Sequence, residues 1–265
     1  MNRLQKCLSG LCFGVVLVTA SDAYALELSE QTMDVTVSNA YVSQYLWRGY
    51  DLHTDNMGYQ PSIDLTFPEL FYGIDLSLNW WASFPLSKGN ETAKEIDYSV
   101  TLSRDIIDQI NLSAGWIYYD FFVQDSGIAD VHEFWGSLTW TLPLDISTTI
   151  STTGTAYYDF PHEESGPENG WFFAWSIDLD TPLPDWVVFQ EEQTISYGVV
   201  IWSTDGVAGT DPAYFYSYDL YAATSYTVGE YVTINPSVHY VLINETSINT
   251  EDDEFWTGVT LDVAF

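Results

Sequence analysis

A two-residue periodicity in polarity recurs through most of the chain. In residues 96–103 apolar side chains alternate with small polar or acidic ones, and residues 62–67, 74–80 and 232–242 show the same pattern. This alternation is typical of β-strands with one apolar and one polar face, because successive side chains point to opposite sides. No helical periodicity is sustained after residue 25. The pattern therefore predicts an all-β chain built from many such strands.

The connections between the predicted strands alternate in length. Twelve strands are placed at residues 33–48, 58–67, 73–84, 95–105, 110–122, 131–142, 145–160, 170–180, 187–203, 214–227, 231–243 and 256–265. Short connections, such as residues 68–72 and 106–109, alternate with long acidic ones, such as residues 85–94 and 161–169. This asymmetry is typical of a transmembrane up-and-down antiparallel β-barrel in an outer membrane.

The last ten residues, WTGVTLDVAF, keep the strand pattern to the final position. Val259, Leu261, Val263 and Phe265 alternate with small or polar residues. A barrel must pair its last strand with its first, because a free edge exposes unpaired backbone groups to lipid. We therefore expect the strand that ends at Phe265 to close the barrel. A terminal aromatic strand of this kind is similar to the signal that the barrel-insertion machinery reads.

Aromatic residues make up 17% of the chain and lie near predicted strand ends. Those near the long loops are Tyr45, Trp47, Trp80, Trp81, Trp116, Tyr118, Tyr119, Tyr157, Tyr158, Trp171, Trp202, Tyr216 and Trp256. Those near the short turns are Phe67, Phe71, Tyr72, Trp140, Trp186, Tyr226, Tyr231 and Phe265. Two separated belts are expected at two membrane interfaces, with outer-membrane lipid and lipopolysaccharide as partners. The alternative, a soluble β-sandwich, gives no reason to sort aromatic residues by strand end.

Residues 1–25 have the features of a cleaved secretory signal peptide. Two basic residues precede the apolar run 8–20, and the AYA sequence at 23–25 fits a cleavage site. Both cysteines lie in this segment, so the barrel domain, residues 26–265, is predicted to fold without disulfides. The net charge of −32 excludes nucleic acid as a partner, because phosphates repel an acidic protein.

The polar face of the strands would line the barrel interior. Strands spaced about 4.8 Å apart and tilted about 40° give a twelve-stranded barrel a backbone radius of about 12 Å, which permits a narrow aqueous channel. The predicted pore-lining residues are Arg48, Asp64, Asp75, Asp97, Asp178, Asp219 and Asp262. Carboxylates favour cations, whereas Arg48 at the long-loop mouth either pairs with an inward Asp or restricts passage. The alternative is that these aspartates have no role in ion selectivity and only keep the water-facing side of the strands soluble.

One segment fits the barrel pattern poorly. In residues 33–48, Val35 and Val37 indicate one register, whereas Val42 and Leu46 indicate the other. A β-bulge or a partly plugged interior would explain this switch.

The expected function is an outer-membrane channel for passive diffusion of small hydrophilic solutes, with a preference for cations. The first alternative is a non-conducting barrel with a structural or adhesive role. The second is a rim-located hydrolase that uses Asp130 and His132, which share one strand face. The loops PHEESGPENG and NETSINTEDDEF either bind divalent cations or are simply solvated. No enzyme activity, cofactor or protein metal site is predicted.

The early hairpins resemble a known family. Residues 37–83 read VSNAYVSQYLWRGYDLHTDNMGYQPSIDLTFPELFYGIDLSLNWWAS, and this stretch is similar to the opening of the TorF-like porins of Gram-negative bacteria. The matching positions are Ser38, Tyr41, Arg48, Gly49, Pro61, Phe71, Tyr72, Gly73, Trp81, Ala82 and Ser83. The spacing from Ser38 to Arg48 is longer than in the family. The resemblance implies an outer-membrane β-barrel of porin type, without a defined solute and without catalytic residues.

Overall fold

The computed structural model describes residues 32–53, 56–87, 94–121, 130–144, 146–161, 169–184, 193–205, 213–244 and 252–265. The predicted signal peptide lies outside these residues. Within the described ranges, no helix is long and apolar enough to cross a bilayer.

The described residues form β-strands joined by turns and loops. The strands are β1 (Asp34–Val42), β2 (Leu46–Trp47), β3 (Tyr50–Asp51), β4 (Gly58–Phe71), β5 (Ile74–Pro85), β6 (Glu95–Ile107), β7 (Ile110–Phe121), β8 (Val131–Thr141), β9 (Thr149–Pro161), β10 (Gly170–Pro182), β11 (Thr194–Thr204), β12 (Ala213–Thr224), β13 (Tyr226–Val228), β14 (Val232–Ile243) and β15 (Glu254–Ala264). Short β13 continues the line of β12 and pairs with β14.

Twelve of these strands close into one antiparallel barrel, which confirms the predicted fold class. Strands β4 to β12 pair in sequence order, β12 pairs with β14, and β14 pairs with β15. Strand β1 completes the ring between β4 and β15. The backbone N–H of Phe265 donates to the carbonyl of Val35 at 2.8 Å, so the final residue takes part in closure as expected.

The period-two pattern separates an apolar outer surface from a polar interior. In β6, Tyr98, Val100 and Leu102 are exposed on the outer face. Ser99 and Thr101 lie on the opposite, inward face. Apolar residues on the outside of a closed barrel contact acyl chains, because no edge or unpaired backbone remains in the hydrocarbon. The fold and this surface place the protein in the bacterial outer membrane.

The short turns lie at one end of the barrel. One two-residue turn is at Tyr72 and Gly73, which have φ values of 53° and 68° and join the paired residues Phe71 and Ile74. Positive φ at both central residues defines the mirror-image turn that matches the twist of two paired strands. Phe71, Tyr72 and Trp140 are exposed at this end, in agreement with the predicted turn-side aromatic belt.

The predicted strand 33–48 is wrong in its second half. Strand β1 ends at Val42, and the chain then leaves the barrel wall to form the hairpin of β2 and β3. Arg48 and Gly49 have φ values of 52° and 88°, which are incompatible with a continuous strand and suited to a two-residue hairpin turn. The switch of register in the sequence therefore marks the exit of the chain from the wall.

The predicted long-loop aromatic belt is also partly wrong. Its outward-facing members are Trp80, Trp116, Tyr118, Tyr158 and Trp171. The members that lie inside the barrel are Tyr45, Trp47, Trp81, Tyr119, Tyr157, Trp202, Tyr216 and Trp256. Adjacent pairs such as Tyr118 and Tyr119 must point to opposite faces of a strand, so position along the chain, and not residue type, decides which ring meets lipid.

Candidate functional site

A short hairpin crosses the lumen near the long-loop end. Residues 43–53 form it, with the pairs Leu46 to Asp51 and Trp47 to Tyr50 on either side of the turn. We call this segment the lumen hairpin. Because its base contacts β5 and its tip contacts β8 to β12 on the far side of the ring, it spans the channel.

The tip of the lumen hairpin carries a buried guanidinium group. The Arg48 side chain is 5% exposed and forms an ion pair and hydrogen bond with the carboxylate of Glu133. Its second amino nitrogen lies 3.9 Å from Oδ1 of Asp159. Tyr119 donates its hydroxyl hydrogen to the other Glu133 oxygen at 3.1 Å. The turn therefore places one positive charge between two carboxylates of the wall.

Aromatic rings surround the same guanidinium. Its carbon lies 4.4 Å from the ring centroid of Trp47, 4.2 Å from that of Tyr157 and 4.7 Å from that of Phe172. Trp202 is slightly more distant, at 5.4 Å. All these distances fall within the range of cation–π attraction, which strengthens when water is excluded.

Ring-to-ring contacts attach the lumen hairpin to the wall. Trp47 contacts Phe172 at 5.5 Å between centroids, with the rings nearly perpendicular. Tyr50 contacts Tyr216 at 5.9 Å, and Tyr216 is completely buried. Edge-to-face and tilted ring pairs at these distances each stabilise the fold beyond the contribution from buried apolar surface area. The hairpin is thus packed like a core element.

The base of the lumen hairpin is fixed on the opposite side of the barrel. His53 is completely buried, and its Nε2 lies 3.1 Å from the hydroxyl oxygen of Ser83 on β5. The backbone N–H of His53 donates to Asp51 at 2.9 Å. The Tyr45 ring contacts both His53 and Trp81, at 5.2 and 5.5 Å.

The aspartates predicted to line the pore all occupy inward positions of the described strands. Several accept hydrogen bonds from neutral donors. Asp64 accepts from Asn79 at 2.6 Å, and Asp262 accepts from Asn235 at the same distance. Asp178 accepts from the hydroxyl of Tyr221 at 2.5 Å.

The remaining three have different surroundings. Asp75 accepts from the backbone N–H of Glu69 at 2.7 Å, close to the turns. Both oxygens of Asp219 lie 3.1 Å from Nδ1 of His239. Asp97 lies in the cross-strand row between Trp81 and Tyr119, near the lumen hairpin.

The wall groups that hold Arg48 were not among the predicted site residues. Glu133 and Asp159 face each other across β8 and β9, at inward positions near the long-loop end. Each is an acidic residue within an aromatic stretch, HEFW for Glu133 and YYDF for Asp159. A carboxylate among aromatic residues was the sequence feature that could have marked both as candidate site residues. Sequence spacing could not show that both carboxylates would meet an arginine from the first loop.

The alternative hydrolase residues lie at the outer rim. Asp130 accepts from the hydroxyl of Tyr118 at 2.9 Å and from the backbone N–H of Phe121 at 3.1 Å. The His132 ring packs against Tyr118 and Phe160, at centroid distances of 4.8 and 5.2 Å. Both residues therefore belong to an aromatic rim cluster on the outward face.

Metal-site geometry is lacking in the described part of the chain. There, no group of three or more His, Cys, Asp or Glu side chains is arranged to hold a metal ion. Most of the two acidic loops, residues 162–168 and 245–251, lies outside the described residues.

Comparisons with known proteins agree on the architecture. No protein-family model matches the chain, and no curated protein matches it. A solved outer membrane channel from Pseudomonas putida F1 is similar, with a TM-score of 0.56 and 9% identity over 93% of this chain and 100% of that chain. The NanC porin has a TM-score of 0.51 and 12% identity over 87% of this chain and 98% of that chain. The KdgM porin has a TM-score of 0.51 and 10% identity over 87% and 99%. At these identities the likeness establishes the fold, which is an outer-membrane β-barrel of porin-like architecture.

Proposed function

We propose that this protein is an outer-membrane channel of the TorF-like porin type, through which small hydrophilic solutes diffuse passively with a preference for cations. The observation that carries the proposal is the lumen itself. Its wall presents carboxylates, and donors such as Asn79, Asn235 and Tyr221 satisfy Asp64, Asp262 and Asp178 without neutralising them. Neutral donors bring no counter-charge, and a lumen lined by one sign of charge concentrates ions of the opposite sign.

The distribution of basic residues supports the same sign of selectivity. Arg104 is the one Lys or Arg within the described barrel strands. It pairs with Leu112, which is exposed on the outer face, so Arg104 also points away from the lumen. Arg48 is inside, but Glu133 neutralises it.

Planar-bilayer recording of the refolded mature protein tests the proposal. We expect discrete conductance steps and a reversal potential of cation-selective sign under a KCl gradient. Silence at all voltages would overturn the channel, and an anion-selective reversal potential would overturn the cation preference.

A specific observation favours a second candidate, a non-conducting barrel with a structural or adhesive role. The lumen hairpin is packed across the channel, with Arg48 and His53 buried and Trp47 and Tyr50 partly buried, as a permanent plug would be. The two candidates are distinguished by recordings before and after residues 44–52 are replaced by a short Gly/Ser linker. A channel whose lumen hairpin can move conducts before and after this replacement, whereas a permanently plugged barrel is silent in the wild type and conducts only after the replacement.

We extend the proposal to assembly, because Phe265 closes the ring through its backbone and is only half-buried. The barrel-insertion machinery is the proposed partner, and outer-membrane lipid with lipopolysaccharide is the proposed surroundings. Phe265→Ala keeps the backbone pairing. We therefore expect slower machinery-assisted insertion with unchanged spontaneous refolding into detergent, and equal assisted rates would refute this role.

A further inference from the structure

The ion pair of the lumen hairpin leaves hydrogen-bonding capacity unused. Asp159 is 6% exposed, and its Oδ1 has no hydrogen-bond partner although it lies 3.9 Å from a nitrogen of Arg48. The facing nitrogen, Nη1 of Arg48, also has no hydrogen-bond partner. A buried acceptor without a donor is costly, so the wall offers more to a cation than the tethered arginine takes.

The carboxylates and rings around the guanidinium belong to the barrel wall, whereas Arg48 itself belongs to the lumen hairpin. Glu133 and Asp159 lie on β8 and β9, and the rings of Tyr157, Phe172 and Trp202 lie on β9, β10 and β11. These strands are joined by a continuous hydrogen-bonded ladder. The arrangement therefore persists when the lumen hairpin moves away.

The chemistry of this wall segment selects one class of cation. Two carboxylates supply charge and a planar set of acceptors, which suits the fork of a guanidinium. Aromatic faces attract weakly hydrated organic cations, whereas small inorganic cations such as K⁺ favour water or carbonyl oxygens.

We propose that the lumen wall contains a binding site for organic cations of the guanidinium class, and that Arg48 occupies this site as an internal ligand. The wall residues of the site are Glu133, Asp159, Tyr157, Phe172 and Trp202. A solute of this class competes with Arg48 and releases the lumen hairpin. The release of a plug by its own solute rests on the proposed channel function, whereas binding at the wall does not.

The hairpin arginine can be removed without breaking its turn. Arg48 has a φ of 52°, and glycine adopts this conformation freely, so Arg48→Gly keeps the turn and empties the site. The probe is methylguanidinium chloride, with KCl at equal concentration as the control for ionic strength. The readout is the melting temperature of the barrel. Samples are incubated at increasing temperatures and run on SDS gels without boiling, where the folded and unfolded forms differ in mobility.

We expect methylguanidinium to raise the melting temperature of Arg48→Gly saturably, beyond the effect of KCl. The wild-type protein should need a concentration higher by about tenfold or more, because the internal ligand leaves only a fraction of sites free. Equal effects of both salts on Arg48→Gly, or equal responses of Arg48→Gly and wild type, would overturn the site.

The double variant Arg48→Gly/Glu133→Gln identifies where the probe binds. It removes the carboxylate that contacts the guanidinium, so the saturable response should disappear. Persistence of the response would place methylguanidinium elsewhere and refute the proposal.

Arg48→Lys is the second variant, for use if Arg48→Gly does not fold. It keeps the charge and loses the planar fork, so methylguanidinium should displace it at a concentration between those of Arg48→Gly and wild type. A response equal to that of KCl would again refute the site.

Conductance separates the two proposals, because a silent barrel with saturable stabilisation retains the site and loses the channel. A conducting barrel without saturable stabilisation loses the site alone.

Discussion

The inward carboxylates are stabilised differently in the two halves of the lumen. In the loop-side half, a cation from the first loop, Arg48, pairs with Glu133 and lies near Asp159, and aromatic rings surround it. In the turn-side half, around Asp178 and Asp262, carboxylates accept hydrogen bonds from neutral side chains and no plug is present among the described residues. One half is built like a protein core and the other like a wet channel wall. The same alternating strands support both, because only the inward residues differ.

The largest expected effect comes from Glu133→Gln in the loop-side half. The change leaves a buried guanidinium without its main counter-charge, which costs about 3–5 kcal/mol and should unseat the lumen hairpin. The mature chain is predicted to lack cysteine, so a single Leu46→Cys substitution reports hairpin exposure through its rate of maleimide labelling. Leu46 is half-buried in the seated hairpin, so we expect labelling to become severalfold faster. Asp262→Asn, in the turn-side half, is the control and should leave the rate unchanged; equal rates in the two variants would contradict the comparison.

A smaller effect is expected where the wall itself is tight. A Cβ at Gly198 would lie 2.3 Å from the carbonyl oxygen of Ile177 and 3.0 Å from the Tyr221 ring. Gly198→Ala should therefore lower the free energy of unfolding in urea by about 2 kcal/mol. At Gly154 a Cβ would meet nothing within 4 Å, so Gly154→Ala is the matched control with little or no loss. Similar stabilities of the two variants would show that the turn-side wall is not closely packed.

The selectivity of the turn-side half should weaken when its charges are removed. Asp178→Asn combined with Asp219→Asn keeps side-chain shape and deletes two inward carboxylates. We expect the cation-to-anion permeability ratio to fall about two- to fivefold, equivalent to about 0.4–1 kcal/mol, as for charges in a high-dielectric pore. The reversal potential under a KCl gradient measures this change. Asp108→Asn, in the exposed turn between β6 and β7, is the control, and an equal shift there would mean that surface charge sets the selectivity.

Among the stability changes, the smallest is expected for Asp262→Asn. Asp262 accepts a hydrogen bond from the neutral amide of Asn235, and its wet surroundings replace part of any lost interaction. The free energy of unfolding should fall by about 0.5–1 kcal/mol. A loss as large as that from Glu133→Gln would mean that the turn-side half is as dry as the loop-side half.

The sequence was most informative where one rule acts on every strand. Alternation alone predicted the inward positions of Asp64, Asp178 and Asp262, and the strand that ends at Phe265 predicted closure against β1. These features follow from the local geometry of a strand and from the need to satisfy every backbone group in lipid. The alternation also contained the register switch near Arg48, although it did not distinguish a bulge from an inward hairpin.

What the sequence by itself determined is therefore the closed all-β wall and the polarity of its two faces. The tertiary structure alone decided the loop-side site, because Arg48, Glu133 and Asp159 come from distant parts of the chain and no local period relates them. It also decided what covers the inward rings, since Tyr119 and Tyr157 pack against Trp47 and Arg48 of the lumen hairpin. Periodicity describes each residue relative to its own strand, whereas contacts across a lumen depend on how the ring closes.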